Sequence, residues 1–176
     1  MPLPVAHGLL GAAVAATLSQ ESRSLHWKPL LIGALLGICP DFDYALNWLR
    51  ISGGGWHHGF THSIVFALAV GLIMASVFGG GKWRSVLLFS GALVSHTLLD
   101  FMLTESRGVA LWWPFSDQRY KLRLPNPIDY TWSDNSFWEA VIDVLKISFT
   151  ELIIFAPILV IVVFTKRLLL DRRTAA

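Results

Sequence analysis

Long apolar runs separated by short polar stretches occupy most of this 176-residue sequence. One of them, Trp83–Leu103, has about the 20 residues that a helix needs to cross a bilayer core of roughly 30 Å. Hydrophobic residues make up 54% of the chain and charged residues only 15%, with a mean hydropathy of +0.56. These values lie far from those of soluble proteins. The composition therefore predicts a membrane protein, with residues 1–176 forming a single domain.

The apolar pattern predicts an all-α fold, a polytopic membrane helix bundle of about five spans with a polar outer loop at residues 104–136. Residues 29–39 are too few to cross a bilayer, so we expect that helix to start earlier or to continue, kinked at Pro40, towards Trp48. The last helix is expected to begin near Ser136 and to run, with a kink at Pro157, to Thr165. The predicted spans are residues 4–19, the segment around 29–48, residues 62–78, Trp83–Leu103 and residues 136–165.

The distribution of charge predicts the orientation of the chain and excludes some functions. With five spans, eight Lys and Arg residues fall on one side and five on the other. The positive-inside rule then places the carboxy terminus in the cytoplasm and the 104–136 loop outside. A net charge of +2 without a basic stripe argues against nucleic-acid binding. The single cysteine, Cys39, excludes an internal disulfide and a cysteine-based zinc site.

Three of the six histidines, His57, His58 and His62, fall in the stretch Trp56–Ser63. On a helix, His58 and His62 would share a face. His57 and His62 would converge instead if Gly59 lies in a turn that leads into the next helix. Either pair can present two imidazoles to one cation, so the spacing does not choose between them.

Further imidazoles and carboxylates fall at one depth of the predicted bundle. His96 and Asp100 are four residues apart, which places them on one helical face. At about 1.5 Å per residue, the candidate ligands lie roughly 20–27 Å from the inner ends of their spans, in the outer third of the bilayer. Isolated polar groups at that depth are costly, so the shared depth predicts one shared site. The residues in this layer are His7, Asp41, His62, His96 and Asp100, and Glu151 of the last helix falls at the same depth.

Several motifs together resemble those of the bacterial family of membrane-bound metal-dependent hydrolases, of the LexA-regulated inner-membrane type. The motifs are Leu36–Asp43, His57–Ser63, Ser95–Asp100 with Thr104 and Gly108 following, Trp113–Pro125 and Asn135–Glu139. In that family the histidine motif usually reads His-Arg-Gly-x-Thr-His-Ser, so His58 stands where an arginine is usual. A weaker similarity, in ligand types and in the His-x-x-x-Asp spacing, is to zinc-dependent phospholipases C.

The resemblance implies a set of metal ligands, which are His7, Asp41, Asp43, His57, His62, His96, Asp100 and Glu139. Asp41 or Asp43 is expected to bridge metal ions or to act as the general base. His58 either replaces a phosphate-binding cation or adds a ligand. Thr104, Arg107 and Arg123 are the further candidates for binding a substrate phosphate. The donor types suit zinc and also allow manganese or iron, and their number exceeds one tetrahedral ion, which favours two or more ions.

The leading functional hypothesis is a hydrolase of the bacterial inner membrane that cleaves a phosphoester in a lipid or lipid-linked headgroup, with the site facing outward. Its expected partners are membrane lipids, and the oligomeric state stays open. The interfacial loop Trp112–Arg123 is expected to line the opening of the site. The alternatives are a metal-binding or transport protein, for which the spans are too few for an obvious inverted repeat, and a structural metal site that only holds helices together.

Overall fold

The structure, a computed structural model, describes residues 4–19, 27–49, 57–104, 107–125 and 136–175. Within these ranges the chain forms helices and no strand, apart from one isolated bridge between Val109 and Tyr120. The prediction of an all-α fold is confirmed. The α-helices are α1 (Pro4–Leu18), α2 (Trp27–Ile38), α3 (Asp43–Trp48), α4 (Ile64–Phe78), α5 (Trp83–Leu103) and α6 (Phe137–Ala175). Two 3₁₀ helices, Cys39–Phe42 and Phe60–His62, lead into α3 and α4.

The helix around residues 29–48 follows both predicted alternatives in part. α2 starts earlier, at Trp27, and ends at Ile38, and a 3₁₀ helix containing Pro40 then leads into α3, which ends at Trp48, because proline has no N–H to continue the α-helical bonding. The predicted end of the last helix is wrong. α6 continues beyond Thr165 to Ala175 and keeps Pro157 inside it. The residues after Thr165 include no glycine or proline, so nothing there terminates the helix.

Helix length alone supports fewer spans than the sequence predicts. In the described ranges, α5 and most of α6 are long and apolar enough to cross a membrane. α1 and α4 are apolar but have 15 residues each, which corresponds to about 22 Å of helix. A bilayer core is about 30 Å thick. The five-span bundle therefore stays a prediction.

Small residues bring α1 and α2 into close contact. A Cβ atom on Gly33 of α2 would clash with the carbonyl oxygen of Gly11 and with Ala15, both on α1. A Cβ atom on Gly37 would clash with the carbonyl oxygen of His7. Close backbone approach through small residues is typical of helix pairs in membranes. This contact sets the position of His7 relative to the end of α2.

α6 stabilises both ends of α1. Oε2 of the buried Glu151 accepts a hydrogen bond of 3.0 Å from the amide of Ala6. Near the other end, Lys166 Nζ donates 2.6 Å bonds to the carbonyl oxygens of Ala16 and Ser19. The carboxylate lies at the positive end of the helix dipole and the ammonium at the negative end, which is the favourable arrangement. The two helices therefore run in the same direction, and α6 holds α1 in place.

Candidate metal centre

Histidines and aspartates from four parts of the fold meet at one end of the helix bundle. They come from the first turn of α1, the segment after α2, the segment before α4 and the second half of α5. Most are fully buried, but the side chains of Asp41 and His57 keep 11% and 15% of their surface exposed. The side chains involved are His7, Asp41, Asp43, His57, His58, His62, His96 and Asp100.

Four of these residues have the spacing of a tetrahedral ligand set. His62 Nε2 lies 3.0 Å from His96 Nε2, and each of these nitrogens lies 3.2 Å from Asp100 Oδ2. Asp41 Oδ1 lies 3.6 Å from His62 Nε2 and 3.5 Å from His96 Nε2. Ligands placed 2.0–2.2 Å from a tetrahedral zinc are about 3.3–3.6 Å apart. The five distances, 3.0–3.6 Å, are close to these values, so the four donor atoms could hold one metal ion.

The other nitrogens of these two rings make hydrogen bonds that orient the cluster. His96 Nδ1 lies 2.7 Å from the carbonyl oxygen of Gly37, in the last turn of α2. His62 Nδ1 lies 2.9 Å from Thr61 Oγ1, whose hydroxyl donates to Asp43 Oδ2 at 2.8 Å. Both Nδ1 atoms must then donate, so in the neutral rings both Nε2 lone pairs face the same point. Such outer partners are typical of metal-binding histidines.

Several buried polar atoms around this point form no hydrogen bond within the described ranges. They are Asp41 Oδ1, both carboxylate oxygens of Asp100 and both ring nitrogens of His7. His7 Nε2 lies 3.5 Å from Asp100 Oδ1, and its ring stacks on that of His96 with 3.7 Å between the centroids. Unsatisfied buried polar groups are costly, and a shared cation would offset that cost for all of them at once.

A second group of potential ligands adjoins the first. Donor atoms of Asp41, Asp43 and His57 lie within 4.8 Å of one another. His57 Nδ1 is 2.9 Å from Asp43 Oδ1. Because Asp41 belongs to both groups, its carboxylate lies between two potential ion positions.

All three clustered histidines face the site. Their ring nitrogens lie within 4.8 Å of one another, and His58 Nε2 is 3.5 Å from Asp100 Oδ2. The stretch is a turn followed by a 3₁₀ helix, and His58 adopts a φ of +62°. The alternative that placed His58 and His62 on one α-helical face is therefore wrong. The alternative with a turn at Gly59 agrees with the structure.

Several predicted site residues lie outside these groups. Glu139 Oε2 accepts a hydrogen bond from Ser136 Oγ, whose oxygen in turn accepts from the Glu139 amide, so this carboxylate belongs to the cap of α6. Arg107 and Arg123 are exposed. Thr104 is buried at the end of α5, where its amide donates to the carbonyl of Asp100.

Three contributors to the site were not predicted as site residues. Thr61 lies within a recognised motif, but its role in orienting His62 was not predicted. Gly37 acts through its backbone carbonyl, for which the sequence carries no signal. Arg119 donates to backbone carbonyls of the histidine stretch. The loop that carries Arg119 is expected to lie beside the site, and two contacts agree with that expectation. The Ala110 amide donates a 3.0 Å hydrogen bond to the His58 carbonyl, and the ring of Phe60 contacts that of Trp113.

The chain is similar to known inner membrane proteins. No solved structure matches it. The inner membrane protein YbcI of Escherichia coli (strain K12) is 34% identical over 128 residues, which cover 68% of this chain and 72% of the relative. The YdjM inner membrane protein family matches residues 1–170. The chain therefore belongs to the YdjM family of inner membrane proteins.

Proposed function

We propose that this protein is a membrane-embedded, metal-dependent hydrolase that cleaves a phosphoester in a lipid or lipid-linked headgroup. The observation that carries the proposal is the close spacing of four buried or nearly buried donor atoms, from Asp41, His62, His96 and Asp100, with five donor–donor distances of 3.0–3.6 Å. In a metal-free centre, two carboxylates and two imidazole lone pairs would face one another in a buried space. A divalent cation, with zinc as the first candidate, removes that conflict.

The two groups of ligands differ in a way that suits catalysis. The four-donor group is almost fully buried and supplies a complete tetrahedral set, as in closed zinc sites. The group of Asp41, Asp43 and His57 supplies three donors and borders the exposed side of the cluster, as in zinc sites that keep a position for water or substrate. Divalent ions at such positions lower the pKa of bound water and stabilise the charge of a reacting phosphoester.

The protein residues then have distinct roles. Asp41 is the shared donor, because its Oδ1 faces the first group and is without a hydrogen bond in the described structure. Asp43 orients His57 and, through Thr61, His62. Arg107 and Arg123 are exposed cations near the chain segments that border the site, and they would bind the substrate phosphate.

The surroundings of the site favour a lipid substrate. Exposed aromatic residues, Trp112 and Phe115, lie on the loop that packs on the histidine stretch, as expected at a membrane–water interface. An open apolar groove of about 470 Å³ runs between α1 and α2. Its lining includes Gly8 and Ile38, which directly follow His7 and Gly37. An acyl chain in this groove would end beside the metal centre.

The arrangement of helices supports the proposed topology of five spans. α1 and α4 approach the centre with their amino-terminal ends, whereas α2 and α5 approach it with their carboxy-terminal ends. This alternation is expected of successive antiparallel spans. The other ends of these helices lie near basic residues, which the positive-inside rule places in the cytoplasm. The centre would then face outward.

Release of a phosphorylated headgroup tests the proposal. Purified protein loaded with zinc would be incubated with vesicles of inner-membrane lipid extract, alongside chelator-treated protein and an Asp41→Asn variant. We expect release that the chelator abolishes and zinc restores, and that Asp41→Asn lowers by orders of magnitude. A protein that binds zinc stoichiometrically but releases no headgroup from the extract would contradict the hydrolase and favour the metal-binding or transport alternative.

A further inference from the structure

Arg119 makes an unusual set of contacts with the backbone beside the candidate metal centre. Its Nη1 atom lies 3.3 Å from the carbonyl oxygens of both His57 and His58, and 3.1 Å from that of Gly108. A guanidinium is always charged and only donates hydrogen bonds. Nη1 carries two N–H groups, so one of them is shared between two of these three carbonyls, which belong to two separate segments.

The contact with two consecutive residues depends on the conformation of His58. Successive carbonyls of an extended chain point in opposite directions, but the left-handed φ of +62° at His58 lets both face Arg119. The same turn directs the His57 ring to Asp43, at 2.9 Å, and the His58 ring to Asp100, at 3.5 Å. The backbone geometry that Arg119 binds is thus the geometry that brings both imidazoles to the site.

The outer loop holds Arg119 in this position. Val109 and Tyr120 exchange two backbone hydrogen bonds of 2.9 Å, which pair the two sides of the loop. Gly108 has a φ of +85°, and a Cβ atom there would lie 2.8 Å from the carbonyl oxygen of Tyr120. Glycine is therefore required for this pairing, and the pairing places residue 119 against the histidine stretch.

We propose that Arg119 is a positioning residue of the metal centre, which holds the turn at His57 and His58 and thereby couples metal binding to the order of the 107–125 loop. The inference rests on the proposed metal centre. Because coupling is reciprocal, bound metal orders the loop as much as the loop favours metal binding. Arg119 itself need not touch metal or substrate.

Zinc affinity and the cobalt spectrum test the positioning role. Arg119→Gln removes the cation, and the control Lys82→Gln removes the same charge from an exposed position between α4 and α5. We expect Arg119→Gln to bind zinc about 10–100-fold more weakly, as for other outer partners of metal ligands, and to alter the visible absorption of the Co²⁺-loaded protein. Lys82→Gln should match the wild type in both measurements. Arg119→Lys, which keeps a cation able to donate to carbonyls, should recover part of the affinity.

Limited trypsin digestion tests the coupling. In wild-type protein, zinc should slow cleavage after Arg123 relative to chelator-treated protein, and in Arg119→Gln zinc should give no such protection.

Equal zinc affinity, cobalt spectrum and protection in Arg119→Gln and wild type would overturn the inference while leaving the metal centre intact. If the wild type itself bound neither metal, the proposed function would fail instead. Should Arg119→Gln not insert into the membrane, Arg119→Lys is measured in its place. Zinc affinity and protection below those of the wild type support the inference, and values equal to those of the wild type contradict it.

Discussion

The residues that the sequence singles out are those whose chemistry conflicts with an apolar environment. His7, His96 and Asp100 interrupt apolar runs, so their position alone marks them, and the structure brings them together. Thr61 and the carbonyl of Gly37 were not predicted, because hydroxyl and backbone acceptors occur throughout any helix bundle. Glu139, by contrast, is a residue that was predicted as a metal ligand and that contacts the helix cap instead. A carboxylate in the first helical turn satisfies a helix cap as well as a metal ion, and the structure shows the cap.

At this scale, Thr61→Val tests the orientation of His62. The substitution preserves shape but removes the hydroxyl that lies 2.9 Å from His62 Nδ1 and bonds to Asp43. Zinc affinity, measured by competition with a chelator, should fall about 10–100-fold because the ring loses its outer partner. Thr61→Ser keeps the hydroxyl and should remain close to the wild type. Unchanged affinity in Thr61→Val would show that this hydrogen-bond chain does not orient the ring.

Among the elements, α5 was predicted with its observed bounds, because the glycines at 79–81 precede it and a polar loop follows it. The two prolines illustrate why the other ends were harder. Pro40 coincides with the end of an α-helix, whereas Pro157 lies within one. A proline removes one hydrogen bond in either case, and tertiary contacts decide whether the helix continues. The α1 contacts of Glu151 and Lys166, on either side of Pro157, stabilise α6 across that position.

Gly33→Ala tests the packing of the elements that carry the centre. Its Cβ atom would clash with backbone of α1, so the helices must separate, and overpacking of this kind costs about 1–3 kcal/mol. We expect a lower thermal unfolding temperature in detergent and a reduced zinc content, since His7 and Gly37 lie on the same interface. In the control, Gly91→Ala, the new Cβ would meet only side-chain atoms of Val14 and Leu18, at 3.1 and 3.6 Å. If both variants behaved alike, the close α1–α2 contact would not be what positions the centre.

At the scale of the whole molecule, membrane location could be predicted from composition, whereas the arrangement of helices could not. Five apolar segments do not specify that α1 packs between α2, α5 and α6. That arrangement depends on glycine contacts and on two ion–dipole contacts that no periodicity reveals. The common depth of the polar residues nevertheless predicted that side chains from distant segments would meet at one site.

Cysteine labelling tests the proposed orientation of the molecule. In a variant lacking Cys39, a cysteine at Ser116 should react with a membrane-impermeant reagent added to intact spheroplasts. A cysteine at Thr174 should react only after the membrane is opened, because the basic residues near the carboxy terminus favour the cytoplasm. The reverse labelling pattern would place the centre at the cytoplasmic leaflet.

The most direct test of the account is the metal content of the purified protein and of its His62→Ala and His96→Ala variants. The Nε2 atoms of these residues lie 3.0 Å apart at the centre of the four-donor group. Elemental analysis should find about one or two transition-metal ions per wild-type chain, zinc foremost. Each variant should lose most of that metal while still inserting into the membrane. Full metal occupancy in both variants, or no transition metal in wild-type protein even after incubation with zinc, would contradict the shared centre.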